Sequence, residues 1–428
     1  MVKDISDKLE NLLRIFGNKV GLNLVYFVGN GFWVACRYLT ISVAGLIISI
    51  AFTRLGTKEL LGQYQFVLSV MAFLSIFSLP GLNISVLKSI SQGQDAGLIK
   101  AVKMSFLASL FGSPIIIGYG ILKIFQGVDI VLGATLILAG VLFAFFYAPN
   151  TWYAFYEGKS QFFPVSMRMI IVNIFSAIGL VMGLYAELNV FWMILIYLLI
   201  NSVFHWIFFF EVIRKIKDKS RSLLDKKYGL HVSVQKFVYG LSNNIPPLAI
   251  SFLFGFDFVA VYHITYYVIG TISGFLSSLS ALYMPLLFKN IKLDSGRIVV
   301  QNIFIGATFL VGFLVFVRLF FTLLYGQDYN ESMKLAYVIS FLLILMPLRI
   351  FLINFFTTKN KNGLIVWTFL ISNIVSFGIF YAAKNTGFTT SVALYLYALQ
   401  FFVVAPLLFV YFSMASSKID SIREDIKS

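Results

Sequence analysis

An all-α polytopic membrane protein with twelve transmembrane helices in two six-helix lobes is the fold this chain predicts, and three observations carry the prediction. Hydrophobic residues make up 59% of the 428 and charged residues only 12%, with a mean hydropathy of +0.90, so the chain cannot present the charged surface of a soluble domain. Apolar stretches of spanning length, about 20 residues each, recur from end to end. The basic residues between them alternate in density from one connection to the next.

Taken in chain order, residues 1–21 place Ile5, Leu9, Leu12, Leu13, Phe16 and Val20 at helical spacing with charges between them, which predicts an amphipathic helix lying in the inner membrane interface. These residues carry both signs and lack a small-residue cleavage site, so no removable signal peptide is expected. The stretches that follow run over 29–53, 62–86, 104–122, 130–153, 169–186, 188–210, 237–256, 260–286, 299–324, 335–356, 364–382 and 390–414. They divide into an N-terminal lobe over 22–213, a basic cytoplasmic linker over 214–236 that holds eight Lys and Arg, a C-terminal lobe over 237–414 and a tail over 415–428. The linker reads as a solvated tether and orientation signal, with anionic lipid headgroups as a further partner.

Placing the amino terminus inside puts 25 of the 33 Lys and Arg on the inner segments and 5 in the outer loops, the latter being Arg54, Lys58, Lys123, Lys334 and Lys384. A missed or extra helix would scramble this asymmetry, so both termini are expected in the cytoplasm. The same rule accounts for the net charge of +15, and no nucleic-acid partner is expected. Cys36 stands alone, and His205, His231 and His263 are scattered, so neither an intrachain disulfide nor a metal or other cofactor site is expected.

The remaining basic residues, Arg37, Arg318 and Arg349, fall inside the apolar stretches, and no Asp or Glu falls inside any stretch as bounded above. A charged side chain at the bilayer centre costs roughly 2.5–3.5 kcal/mol on insertion scales, so it usually faces a polar cavity or a partner. Cations without acids point to a path for something anionic.

The halves resemble one another. Ile171-Val172-Asn173-Ile174-Phe175-Ser176 recurs as Ile371-Ser372-Asn373-Ile374-Val375-Ser376, and Lys159/Lys359 and Tyr197/Tyr397 share that offset of 200, while Leu87-Lys88-Ser89-Ile90 matches Phe288-Lys289-Asn290-Ile291 at 201. Copies of six helices each point the same way through the membrane, related by an axis along its normal, with a path expected between the lobes and alternating access by rocking.

Arg54-Leu55-Gly56-Thr57-Lys58-Glu59-Leu60-Leu61-Gly62-Gln63-Tyr64 resembles the Arg-x-Leu-Gly and Gly-x-Tyr signature of the polysaccharide flippases, the O-antigen and capsule repeat-unit translocases. Leu324-Tyr325-Gly326-Gln327-Asp328-Tyr329 is similar to the second-half element of that family, and Phe256-Asp257-Phe258-Val259-Ala260-Val261-Tyr262 to the stretch that opens its eighth helix. The family belongs to the multidrug/oligosaccharidyl-lipid/polysaccharide exporter superfamily. The resemblance implies a V-shaped fold like that of multidrug and toxin extrusion transporters. It also implies a location in the bacterial inner membrane and a cargo of undecaprenyl-pyrophosphate-linked oligosaccharide, flipped to the periplasmic leaflet for O-antigen or another surface polysaccharide. Polysaccharide polymerase and chain-length proteins would be partners.

Guanidinium offers a fixed fork of donors suited to phosphate oxygens, which makes Arg37 the leading substrate-binding candidate, followed by Arg318 and Arg349; snorkelling to the interface is the plainer alternative for each. Lys88 and Lys289 would meet a headgroup at the inner mouth or serve as ordinary positive-inside residues. Asn173 and Asn373 would bind sugar or, more plainly, bond between helices. Trp152, Tyr153 and Tyr156 read as an interfacial belt, with sugar stacking as the minor reading. Pro246 and Pro247 are the hinge candidates. A cation-coupled multidrug exporter of the same superfamily is the alternative, disfavoured by the absence of acids from the stretches. A membrane enzyme of polysaccharide assembly is less favoured still, because the outer loops are short and hold no His. The glycan itself is not written in the sequence.

Overall fold

A computed structural model of the chain describes residues 24–127, 129–216, 224–288, 295–359 and 361–427, and side chains over 31–127, 129–216, 224–277, 296–359 and 361–414. The interfacial helix expected over 1–21, and Lys289, lie outside the described residues. The described chain is helical: α1 Leu24–Leu55, α2 Lys58–Leu74, α3 Leu82–Ser91, α4 Gly97–Phe125, α5 Ile130–Tyr147, α6 Tyr153–Gly158, α7 Phe162–Tyr185, α8 Val190–Lys215, α9 Lys226–Leu253, α10 Phe256–Phe288, α11 Ser295–Phe316, α12 Thr322–Tyr325, α13 Asn330–Ile339, α14 Leu342–Thr358, α15 Asn362–Ala382 and α16 Phe388–Lys427. Among the described residues ten helices or helix runs are long and apolar enough to cross a membrane, and Gln327–Ile339 with Leu342–Thr358, bent by 59°, makes an eleventh if the pair is one span. The expected span over 237–256 falls largely in α9, which carries Ser242, Asn243, Asn244, Pro246 and Pro247 and is not among the helices apolar enough to qualify.

Several boundaries differ from those the hydropathy predicts. The second stretch is not one helix: α2 passes into a 3-10 turn over Ser75–Ser78, Leu79 takes a positive φ of 53°, and α3 begins only at Leu82. Pro80 lacks the N–H that would carry the helix through this point. α6 reaches Gly158, α7 starts at Phe162 and α8 reaches Lys215, so Glu157, Arg168 and Glu211 are helical residues. The absence of acids therefore does not hold once the helices are given their true ends. Charges lower the hydropathy of a window without stopping the backbone ladder, and these charges are paired. The linker expected over 214–236 is shorter too, since α9 begins at Lys226 and packs on α3 through Gly81 N–H to Ser233 Oγ at 2.9 Å and Ser85 Oγ to the Asp225 carbonyl at 2.8 Å.

The chain forms two compact units, one of residues 1–48 and 75–233 and one of residues 49–74 and 234–428. The core of the first surrounds Trp152, with Leu82, Val86, Leu98, Phe155, Val165 and Val212. Its α4 and α5 meet through small residues: a Cβ on Gly120 would sit 2.6 Å from the Gly133 carbonyl, which sets how close the backbones lie. The core of the second gathers Leu348, Leu352, Phe356, Ile365, Val403 and Leu407 from α14, α15 and α16. In this unit α2 packs on α10, where Gly62 lies so close to the Phe256 carbonyl that a Cβ would overlap it.

Local geometry repeats at the offset seen in the sequence. Lys159 and Lys359 close helices with φ of −90° and −91°, and the N–H groups of Gln161 and Lys361 donate to Tyr156 and Phe356 carbonyls at 2.8 and 2.9 Å. Gly127 and Gly326 follow α4 and α12 with φ of 65° and 85°, a conformation that favours glycine.

Candidate functional site

The first unit brings Arg37 to a carboxylate. The guanidinium Nη1 of Arg37, in α1, lies 3.2 Å from Glu157 Oε1 in α6, and the two side chains retain 22% and 17% of their surface. Arg37 is therefore not the lone cation expected from the stretch boundaries. Beside the pair, Asn83 donates to the Tyr153 hydroxyl at 3.0 Å and accepts from Thr151 Oγ1 at 2.7 Å. Tyr153 lies within electrostatic reach of both Arg37 and Glu157. One monodentate ion pair and an amide-hydroxyl chain thus tie α1, α3 and α6.

A second charged group lies at the far end of α8. Arg168 grips Glu211 with Nη2 at 2.7 and 2.9 Å and Nε at 3.1 Å, Lys215 reaches the same carboxylate at 2.7 Å, and the Tyr156 hydroxyl bonds to both Glu211 and Lys215. The guanidinium also stacks 4.9 Å over the Tyr156 ring. This fork geometry pins α7 to α8 and leaves Glu211 neutralised twice over. Lys88 is exposed at the end of α3, 3.9 Å from Asp225 and 5.1 Å from the Tyr228 ring centroid, a surface pair at this helix end.

The aromatic belt reading fails for Trp152 and Tyr156. Trp152 has no exposed surface, and its indole N–H donates to His205 Nδ1 at 2.9 Å. Burial with a satisfied N–H makes it a core residue. The hydropathy window that ended at 153 placed it at a membrane edge, but the helix run continues to Gly158.

In the second unit, Arg318 occupies a π-helical turn over Val317–Phe321 and is exposed among Val315, Leu319, Phe320 and Leu323, all outward-facing apolar residues. That setting suits a snorkelling cation on a lipid-facing stripe. Arg54 donates through Nε to the Leu324 carbonyl at 3.1 Å and through Nη2 to the Leu323 carbonyl, satisfying two acceptors near the end of α12.

Arg349, in α14, is different. It is half-buried, no carboxylate pairs with it among the described residues, and the Tyr266 phenol of α10 is the group within its electrostatic reach. Tyr266 stacks on Tyr262 one turn away, with ring centroids 5.3 Å apart and planes at 13°, and its hydroxyl donates to Asn243 Oδ1 of α9 at 3.5 Å. The Tyr262 and Tyr395 hydroxyls are buried without a partner. Sequence reasoning missed these tyrosines, because nothing in a chain with 22 Tyr singles them out.

The asparagines bond back along their own helices, and Asn373 also bonds to a second helix. Asn173 and Asn373 each donate to the carbonyl four residues earlier, at 2.7 Å in both cases, and Asn373 also reaches Ser242 Oγ at 3.1 Å. Pro246 and Pro247 lie inside α9, which runs through them to Leu253, and Pro246 lines a small cavity with Ala249, Ile250, Phe380, Val392 and Tyr395. No group of three or more His, Cys, Asp or Glu that could hold a metal occurs among the described residues.

No family model and no curated protein sequence matches the chain. Solved structures do. An inward-facing multidrug resistance MATE family transporter of the MOP superfamily aligns over 90% of this chain and 96% of its own, at 14% identity and a TM-score of 0.65. A MOP superfamily transporter from Pyrococcus furiosus, described by the reverse polarity of its binding pocket, aligns over 91% and 96% at 12% identity and a TM-score of 0.59. A eukaryotic MATE transporter, AtDTX14, aligns over 90% and 94% at 13% identity and a TM-score of 0.59. The chain has the MATE-like all-helical membrane fold.

Proposed function

We propose that this protein is a transporter, not an enzyme, that carries an anionic amphiphile across a bacterial inner membrane, with undecaprenyl-pyrophosphate-linked oligosaccharide as the cargo and alternating access as the mode. The observation that carries the reading is the charge balance within the spans. Among the described residues Arg349 has no carboxylate partner, whereas Glu157 and Glu211, towards the ends of two of the described spans, are each held by a base. Such a balance favours a cargo that brings its own negative charge, since a pyrophosphate crossing a low-dielectric layer needs fixed donors. Within the first unit, Arg37 would be freed for a phosphate if cargo displaced Glu157.

A second reading is a cation-coupled multidrug exporter. Seven of the solved structures with this fold are described as MATE transporters, two of them as multidrug resistance transporters, and Glu157 supplies a carboxylate in α6. The neighbour from Pyrococcus furiosus, described by a pocket of reverse polarity, supports a fold in which pocket charge varies. The experiment that separates the readings is gene deletion in the native host. Undecaprenyl-linked repeat units should accumulate on the cytoplasmic side and return to normal with the wild-type gene. Unchanged surface polysaccharide together with new sensitivity to cationic drugs would favour the exporter instead.

A further inference from the structure

We propose that the second unit carries a neutral sugar-binding face, formed by His263, Tyr266 and Tyr267 of α10 with Gln65 of α2 and Asn243 of α9, which takes the hydroxyl-rich glycan of an amphiphilic cargo. The inference deepens the transport reading above and rests on it for its biological occupant. It starts from a stripe on α10. His263, Tyr266, Tyr267, Gly270, Gly274 and Ser277 recur at helical spacing, so they share one face of the helix, and every one of them keeps accessible surface. A membrane-spanning face of this composition is out of place against lipid, which satisfies no polar group. No neighbouring side chain or backbone closes over it at Gly270, where a Cβ would meet nothing within 4 Å. α10 packs instead along α2, α13 and α14.

Side chains from two other helices join this face by hydrogen bonds. Gln65 Nε2 lies 3.2 Å from His263 Nε2, and the His263 ring centroid lies 6.0 Å from that of Tyr267. The Tyr266 hydroxyl donates to Asn243 Oδ1 at 3.5 Å, a long bond that a sugar hydroxyl can replace on both sides, and Asn243, well inside α9, is exposed. Tyr262 backs Tyr266 in a parallel stack, with centroids 5.3 Å apart and planes at 13°, which holds the Tyr266 ring as a flat platform. The residue types choose the ligand. Imidazole, amide and phenol groups together donate and accept, as sugar hydroxyls do, and a flat aromatic ring suits the C–H face of a sugar. The five residues of the face include no carboxylate to hold a cation and no guanidinium to hold a phosphate. A neutral polyol needs neither.

The test has two arms, both on the full-length protein. In the first, Gly270→Cys is made on a Cys36→Ser background, which removes the one native thiol, and its reaction with a water-soluble maleimide is timed in lipid nanodiscs. Gly312→Cys is the control, because a Cβ there also meets nothing within 4 Å while Val311 and Val315 beside it are outward-facing apolar residues. Gly270→Cys should react about tenfold faster or more, since the thiolate that reacts needs water; equal rates would place the stripe against lipid and overturn the site. In the second, fluorescently tagged protein in a sugar-free detergent is applied to an array of neutral, acidic and amino oligosaccharides. The wild type should bind neutral oligosaccharides, and His263→Ala, Asn243→Leu and Tyr266→Phe should each weaken that binding by about three- to tenfold, the range of one lost hydrogen bond. Asn243→Leu, which makes α9 more apolar, and Tyr266→Phe, which removes one atom, keep the test meaningful if His263→Ala aggregates. Binding of no neutral glycan, binding confined to charged glycans, or wild-type affinity in all three variants would overturn the site. Glycan binding by a protein whose deletion leaves surface polysaccharide unchanged would sink the cargo reading and leave the site standing.

Discussion

Removing the Glu157 carboxylate should expose how strongly α1 is tied to α6. The pair is a single contact at 3.2 Å between side chains that retain 22% and 17% of their surface. Exposed ion pairs contribute about 0–1 kcal/mol, whereas breaking a buried pair costs about 3–5 kcal/mol because the surviving charge is stranded. A hydrogen bond to a charged group contributes about 1.5–3 kcal/mol. At this partial burial and with one bond rather than a fork, the coupling between Arg37→Gln and Glu157→Gln should fall near 1–2 kcal/mol on those scales. Glu157→Leu, which leaves Arg37 with no acceptor, should cost about 2–3 kcal/mol. The assay is reversible unfolding by dodecyl sulfate in mixed micelles, followed by tryptophan fluorescence, for the wild type, both single variants and the double variant. Additivity within about 0.5 kcal/mol, the range expected of independent sites, would refute the pairing and return Arg37 to the status of an unpaired cation.

Three further outcomes follow from the packing. Gly62→Ala should destabilise the protein by about 1–3 kcal/mol, because the new Cβ meets the Phe256 backbone and not a movable side chain; a stability equal to wild type in the same unfolding assay would show that α2 and α10 do not pack here. Trp152→Phe should cost about 1–3 kcal/mol through the lost bond to His205 and the space left behind, and fluorescence quenching by a soluble quencher should fall on the other tryptophans first, since Trp152 is enclosed. Arg318→Leu should change stability by no more than about 0.5 kcal/mol and leave binding of farnesyl pyrophosphate intact, as expected of an exposed residue away from special features; a large loss of binding would move Arg318 onto the cargo path.

The fold was legible because hydropathy and the inner excess of Lys and Arg report two physical constraints, the thickness of the apolar layer and the cost of moving cations outward. The duplication was legible at Asn173 and Asn373, whose shared back-bond to the preceding turn is a local feature that travels with sequence. What escaped was whatever depends on a partner. Glu157 and Glu211 ended the apolar windows, and only their contacts with Arg37 and Arg168 explain how they sit in helices. The break at Leu79 was hidden inside an apolar run. Trp152 was read from its distance to a window edge that was five residues short of Gly158. The polar face of α10 escaped as well, because its bonds to Gln65 of α2 and Asn243 of α9 carry no signature in a one-dimensional pattern.

The central claim is that an unpaired interior cation recognises the phosphate of an anionic cargo. The most direct measurement is flipping of a fluorescent prenyl-pyrophosphate-linked oligosaccharide in proteoliposomes carrying the wild type, Arg349→Lys or Arg349→Ala. The account predicts transport by the wild type, reduced transport by Arg349→Lys and near loss in Arg349→Ala, with no transport of a cationic drug. Equal flipping by all three proteins, or drug transport without flipping, would contradict it.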